Sequence, residues 1–260
     1  MEGGGLGPLL LIADDAGVAC LSNVCTHRGA LLLDASCEGR QRIRCRYHGR
    51  CFGLDGQVQS APGFDPPPDE ALPAMSVGRW GCAVFAAHGP ELSFDEWMPE
   101  APVGAFSGAR EYEVAAPWAL YVENYLEGLH VPFAHPGLNA ALDQSTYATE
   151  VRGHTVLQTC DGVRWWFLFP STLVNVYPWG VSLNAVEPIA LGRTRVRYVT
   201  YGQPPDDWGV DLHQTELEDQ AVVASVARGM RSPLYRPGVL SPTREAGVAA
   251  FRRMLSGVVA

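Results

Sequence analysis

Two short stretches decide how this chain folds: Asn23-Val24-Cys25-Thr26-His27-Arg28-Gly29-Ala30 and, with 17 residues between His27 and Cys45, Arg44-Cys45-Arg46-Tyr47-His48-Gly49-Arg50. Together they form a C-x-H…C-x-x-H pair, each half beside a glycine that permits a tight turn. Two thiolates and two imidazoles can hold zinc or an iron-sulfur cluster. Zinc sites usually pair Cys with Cys in one half and His with His in the other. Here each half supplies one of each, which suits a 2Fe-2S cluster in which one iron takes both thiolates and the other both imidazoles. Cys25, His27, Cys45 and His48 are therefore the candidate cluster ligands. Cys20, Cys37, Cys51, Cys82 and Cys160 match no ligand position, and each is expected to be a small buried hydrophobe.

Around these stretches, from Pro8 to about Ala87, short apolar runs are cut by Gly, Asp and Asn: Leu9 to Ala13, Val18 to Leu21, Ile43 to Arg46, Gln57 to Gln59 and Val84 to Ala87. That rhythm predicts a small all-β domain. Pro62 to Asp69, rich in proline, reads as a rigid surface loop within or beside it. Near residue 100 the texture changes, dividing the chain into 1–100 and 101–260. Pro117 and Trp118 open a helical pattern running to about His130, aromatic strands follow, and two helices close the chain. The first spans about Asp211 to Arg231, and the second starts with Ser241 as N-cap and Pro242 in the first turn.

Composition narrows the function. The 260 residues include 19 basic ones, all Arg, against 28 acidic ones, a net charge of −9 that argues against nucleic acid or an anionic membrane as partner. The longest uncharged stretch, Trp165 to Val186, has the length of a membrane span. However, Pro170, Pro178, Asn175, Asn184 and Gly180 interrupt it, and it reads instead as two buried strands with a turn between them. No export signal opens the chain and seven Cys is an odd number, so a cytoplasmic protein with free or metal-bound thiols is expected.

A second constellation lies in Glu123-Asn124-Tyr125-Leu126-Glu127-Gly128-Leu129-His130-Val131-Pro132-Phe133-Ala134-His135. On a continuous helix Glu123, Glu127 and His130 share a stripe about 40 to 60° wide, and His135 sits about 140° from His130. Pro132 breaks the helix, and the resulting bend can bring the two imidazoles together. Two His and one carboxylate would make a facial triad for mononuclear Fe(II). In the helix near Asp211 to Arg231 an apolar stripe of Val222, Val223, Val226 and Met230 places Asp219 on the core side, turns Glu218 about 100° toward the flank and leaves Glu216 at the edge. A lone carboxylate on an apolar face needs an Arg partner or a metal.

With both motifs in place, the sequence resembles the catalytic alpha subunit of the Rieske non-haem iron oxygenases that hydroxylate rings or demethylate, over nearly its whole length. The positions where respiratory Rieske proteins carry an extra disulfide are Ala30 and Tyr47 here. The family's acid-Asn-x-x-acid-x-x-His-x4-His pattern is matched by Glu123, Asn124, Glu127, His130 and His135. Its C-terminal pattern is matched by Glu218-Asp219, then Arg228 to Pro233 and Tyr235.

The resemblance implies an α+β protein, an all-β Rieske domain followed by a helix-grip domain, a curved antiparallel sheet around a long helix. It implies that His130, His135 and Asp219 bind iron, with Asn124 and Glu127 as catalytic residues. Glu127 would bridge to His48 of a neighbouring subunit in a homotrimer. A 2Fe-2S cluster would receive electrons from an NAD(P)H-dependent reductase, with or without a ferredoxin between them, for insertion of oxygen from O2 into a small substrate. Glu where most dihydroxylating members have Asp tilts the expectation toward quaternary amines and monooxygenation or demethylation. The resemblance also implies a further segment ahead of the Pro8 to Ala13 strand. The competing reading is an electron carrier whose second iron site is vestigial, in which residues 101–260 would have no purpose. A quaternary amine would want an aromatic cage, an acid an Arg.

Overall fold

The computed structural model describes residues 2–3, 7–15, 17–81, 83–87 and 104–259. The chain divides into two compact units, Met1–Ala101 and Pro102–Ala260. The change of texture near residue 100 and Cys82 both lie outside the described residues.

The first unit is all β among its described residues. Its strands are β1 (Glu2–Gly3), β2 (Gly7–Asp14), β3 (Gly17–Ser22), β4 (Arg42–Arg44), β5 (Cys51–Gly53), β6 (Val58–Ser60), β7 (Ala74–Trp80) and β8 (Ala83–Ala87). They form a five-stranded sheet, β1-β2-β3-β7-β8, and a three-stranded sheet, β4-β5-β6. The core between them holds Leu10, Leu21, Leu32, Ile43, Phe52 and Leu72, and it also takes in the side chains of Cys25 and Cys45. The cluster candidates thus sit on loops whose roots are nailed into an apolar interior. Cys20, Cys51 and Cys160 are buried as expected, whereas Cys37 is exposed, in a loop segment with no strand to carry it inward.

The second unit begins with β9 (Phe106–Val114) and the helices α1 (Trp118–Tyr125), α2 (Val131–Ala134) and α3 (Pro136–Ala141). The strands β10 (Ala148–Arg152), β11 (Thr155–Cys160), β12 (Val163–Leu168), β13 (Thr172–Tyr177), β14 (Gly180–Ala190) and β15 (Arg193–Gly202) follow, then α4 (Leu212–Gly229) and α5 (Ala246–Val259). The sheet is antiparallel throughout, in the order β10-β11-β12-β13-β14-β15-β9, so the chain's early strand closes the far edge. Tyr121 and Val122 of α1, Val223 and Ala227 of α4, and Val248 and Phe251 of α5 share one core with Val156, Phe167, Leu173, Val186 and Val196 of the sheet. Gly247 lets α5 approach α1 closely, since a Cβ there would stand 2.5 Å from the Leu126 carbonyl oxygen.

Three sequence expectations are corrected. Trp165 to Val186 belongs to three strands, not two, because the turn at Pro178-Trp179 already starts β14. The face of α4 turned inward carries Glu216, Val223 and Ala227, while Val226 and Met230 of the expected stripe are exposed, since the helix lies against α1 and the sheet with small and polar residues. The last helix starts at Ala246 instead of after Ser241, because Ser241 Oγ accepts from the Arg244 N–H and Glu245 Oε2 accepts from the Ser241 N–H, closing a separate turn. No helix among the described residues is long and apolar enough to cross a membrane.

Candidate functional site

In the first unit the two motif loops are built as the same turn. In each, the cysteine N–H donates to the carbonyl five residues on, Ala30 or Arg50, and the glycine four residues on donates back to the cysteine carbonyl. Gly29 and Gly49 close these turns at φ +74° and +77°, where a side chain is strained. The two cysteines are buried and their thiols lie side by side, while His27 and His48 are exposed with ring centroids 4.6 Å apart. Thiol therefore meets thiol and imidazole meets imidazole, the pairing a cluster with one iron on sulfur and one on nitrogen requires. Beneath the loops, buried Arg50 donates to Thr26 Oγ1 at 2.8 Å and pairs with Glu70 at 2.5 Å, tying one loop to the other.

The second set is assembled around the end of α1. That helix stops at Tyr125 instead of reaching His130, and side chains explain why. The Gln158 amide donates to the Tyr125 carbonyl at 2.7 Å, and Glu127 Oε2 accepts the backbone N–H groups of Leu129 and His130. Both partners of the next helical hydrogen bond are thus taken. Gly128 is required at the bend, because a Cβ would stand 2.5 Å from the Tyr147 ring. Pro132 then sits in the first turn of α2, and the bend brings the His130 and His135 rings to a centroid distance of 5.0 Å. Glu123, expected on the same stripe as His130, instead pairs with Arg252 of α5 at 2.7 and 2.8 Å.

Asp219 of α4 meets both imidazoles. Its Oδ1 lies 3.0 Å from His135 Nε2 and 3.4 Å from His130 Nε2, and it accepts from Asn124 Nδ2 at 2.5 Å. Donor atoms about 2.1 Å from one ion and at right angles stand about 3 Å apart, so this spacing suits a shared metal. One ligand atom from each of the three residues falls within 4.8 Å of the others. The opposite nitrogens are held as well: His130 Nδ1 bonds Glu127 at 2.5 Å and His135 Nδ1 bonds Glu218 at 2.8 Å. Carboxylates behind metal-binding imidazoles fix the tautomer and the ring plane. Glu218, read from the helical wheel as a flank residue, does this for His135.

The electrostatics follow from these contacts. Burial opposes charge on His130, but Asp219 and Glu127 outweigh it and push its pKa up to about 9. Burial likewise works against charge on Asp219, yet the two imidazoles draw it down to about 2. Burial, reinforced by the charge of Asp219, pushes Glu216 up to about 7, against hydrogen bonds from Tyr121, Gln220 and Asn184. A metal entering the triad would displace protons from the imidazoles.

The triad opens into a cavity of about 100 Å³, lined also by Tyr121, Tyr125, Tyr147, Trp165, Asn175 and Tyr177. Asn175 and Tyr177, alternate residues of β13, both line this cavity. Glu216, which the helical wheel set at the edge, lines the cavity with Asp219. Its spacing of seven and eleven residues from Val223 and Ala227 was the available signal.

Two domain families match this chain. The Rieske [2Fe-2S] domain matches residues 5–77, and the catalytic domain of the ring hydroxylating alpha subunit matches residues 144–260. Chloroplastic choline monooxygenase of Arabidopsis thaliana is 28% identical over 269 residues, covering 83% of this chain and 63% of that enzyme. The carnitine monooxygenase oxygenase subunit of Escherichia coli strain K12 is 25% identical over 288 residues, covering 91% and 76%. The chain thus spans under two thirds of the length of the choline monooxygenase. Among solved structures, the quaternary ammonium Rieske monooxygenase CntA in complex with L-carnitine superposes with a TM-score of 0.72 at 24% identity, over 96% of this chain and 81% of that one.

Proposed function

We infer, on the premise that this chain belongs to the Rieske non-haem iron oxygenase alpha subunits, that it is the oxygenase component of a system that monooxygenates a small organic cation. One atom of O2 enters a substrate C–H bond and the other leaves as water. The two electrons come from NADH or NADPH through a separate reductase, directly or through a ferredoxin, and two protons complete the balance. The observation that carries this reading is the convergence of His130, His135 and Asp219 on an aromatic cavity in a chain that also holds the paired thiols and imidazoles.

In this reading Cys25 and Cys45 would hold one iron of a 2Fe-2S cluster, His27 and His48 the other, and His130, His135 and Asp219 a mononuclear iron. When bound, the cluster would supply one-electron transfer and the mononuclear iron the chemistry of dioxygen. The rest is the work of the chain. Glu127 and Glu218 keep both Nε2 atoms aimed at one point, and Asn124 occupies Asp219 Oδ1 so that the carboxylate cannot rotate away. The tyrosines and Trp165 exclude water from the bound substrate. Both oxygens of Glu127 serve its own subunit: Oε2 takes two backbone N–H groups, but Oε1 takes only the His130 bond and keeps a second lone pair. An N–H from His48 of a neighbouring protomer can thus be accepted without releasing His130, in keeping with a homotrimer whose electrons cross between subunits.

The choline and carnitine named for the two relatives are both quaternary amines, and Glu127 in place of Asp agrees with that branch. The test is His130→Ala in iron-loaded protein. The reddish-brown colour of the cluster is expected to stay and oxygen-dependent turnover to disappear. Turnover at the parent rate would overturn the assignment.

A further inference from the structure

Two glutamates of the second unit are equally buried, Glu216 at 5% and Glu187 at 6% exposure, and they are treated differently. Glu187 faces Arg195 at 3.8 Å and Arg197 at 3.4 Å. Glu216 has only neutral donors: the Tyr121 hydroxyl at 2.6 and 2.7 Å from its two oxygens, Gln220 Nε2 at 2.9 Å and Asn184 Nδ2 at 3.3 Å. Among the described residues no Arg or His pairs with it. These donors hold the carboxylate in place, with Asn184 itself linked to Asn175 at 3.3 Å, but none supplies a positive charge. A buried acid without a counter-charge is costly.

Glu216 lines the same cavity as the triad, one helical turn before Asp219. Tyrosines and Trp165 share the other walls with amide and aliphatic side chains, and no Arg is among the described residues that line it. Arg244 stacks on the outer side of that wall, 5.1 Å from the Tyr147 ring centroid, and donates to the Gln144 carbonyl.

We propose that Glu216 is the counter-charge that selects the substrate: the cavity takes a small organic cation that carries no carboxylate, its nitrogen between Glu216 and the aromatic walls. The proposal rests on the oxygenase reading and deepens it. It explains why α4 presents two acids on successive turns to one cavity: Asp219 is spent on the imidazoles, and Glu216 is left for the ligand. Because the two side chains lie one turn apart, carbon atoms bonded to the nitrogen are held near the triad. A carboxylate-bearing betaine would find no Arg among the described lining residues to receive it and would face Glu216.

The test is calorimetric binding to the cluster-containing protein, which reads charge preference whether or not turnover occurs. The probes are choline against its uncharged carbon isostere dimethylbutanol, putrescine against butanediol, and choline against glycine betaine. The parent is expected to bind at least one of the two cations about tenfold or more tighter than its neutral counterpart, and choline tighter than betaine. In Glu216→Gln the cation preference should fall about tenfold while the neutral alcohols bind as before, which also reports an intact pocket. A parent without cation preference, or a variant that keeps it, overturns the proposal. Should Glu216→Gln fail to fold, the parent decides alone, and betaine binding as tightly as choline overturns it. A parent that prefers the cations but shows no oxygen-dependent turnover would instead count against the oxygenase reading only.

Discussion

The two donor sets of this chain are built in opposite ways. Cys25, His27, Cys45 and His48 stand on two copies of one backbone turn, with sulfurs buried and imidazoles exposed. His130, His135 and Asp219 come from a helix bend and from another helix 84 residues beyond His135, with His135 buried and the others half-buried at the edge of a cavity. The first arrangement suits exchange of electrons at a surface, where only imidazole edges need be reached. The second suits chemistry that must exclude water. Backbone makes the first geometry, whereas side chains make the second, through Glu127, Glu218 and Asn124.

The largest effects expected would separate the sets outright. Cys45→Ser should remove the visible absorbance and all turnover, whereas His135→Ala should keep the absorbance and lower turnover by about a thousandfold or more. Spectra and oxygen uptake on the two variants check this, and loss of colour in His135→Ala would break the comparison.

Next comes the acid that belongs to neither set. Glu216 has its pKa raised from 4.5 to about 7, so the folded protein binds more protons than the unfolded chain between those values. Unfolding free energy should therefore fall as pH rises through that window, by roughly 3 kcal/mol in total, and Glu216→Gln should abolish that decline. The groups facing Glu216 include Tyr121, Tyr112, Tyr198 and Asp219; the phenols keep their protons throughout and Asp219 its charge, so the difference between parent and variant belongs to Glu216. Urea unfolding of metal-free protein at several pH values measures it.

Weaker still, Glu218→Gln should loosen iron in the second site about 10- to 100-fold, read by chelator competition, with the cluster retained. The smallest effects should come from the turns. Gly49→Ala, whose Cβ would meet Arg44 and Pro62 at 3.3 and 3.4 Å, should cost about 1–2 kcal/mol, and Gly29→Ala, with open space around it, about 1 kcal/mol, by thermal unfolding. A neutral Gly49→Ala would mean that the backbone is not what fixes the first set.

The same contrast decides what the sequence could reveal. The first set was legible because each loop is local, and the glycines and the mixed Cys-His halves carry the geometry on their face. The α+β order and the helix around Asp219 were legible from periodicity. The helix past Tyr125 was not, because its end is made by Gln158, 33 residues away, and by Glu127 turning back on the backbone. On α4 a hydropathy wheel assumes that apolar residues face inward. This helix instead turns acids inward, so Val226 and Met230 were misplaced, and Glu216 and Glu218 were underread.

The central claim is that one chain holds a cluster and a separate mononuclear iron. Iron and acid-labile sulfide, measured per chain on anaerobically purified protein resupplied with Fe(II), test it most directly. The account predicts about three irons for two sulfides. About two irons for two sulfides would contradict it, leaving an electron carrier whose second donor set binds nothing.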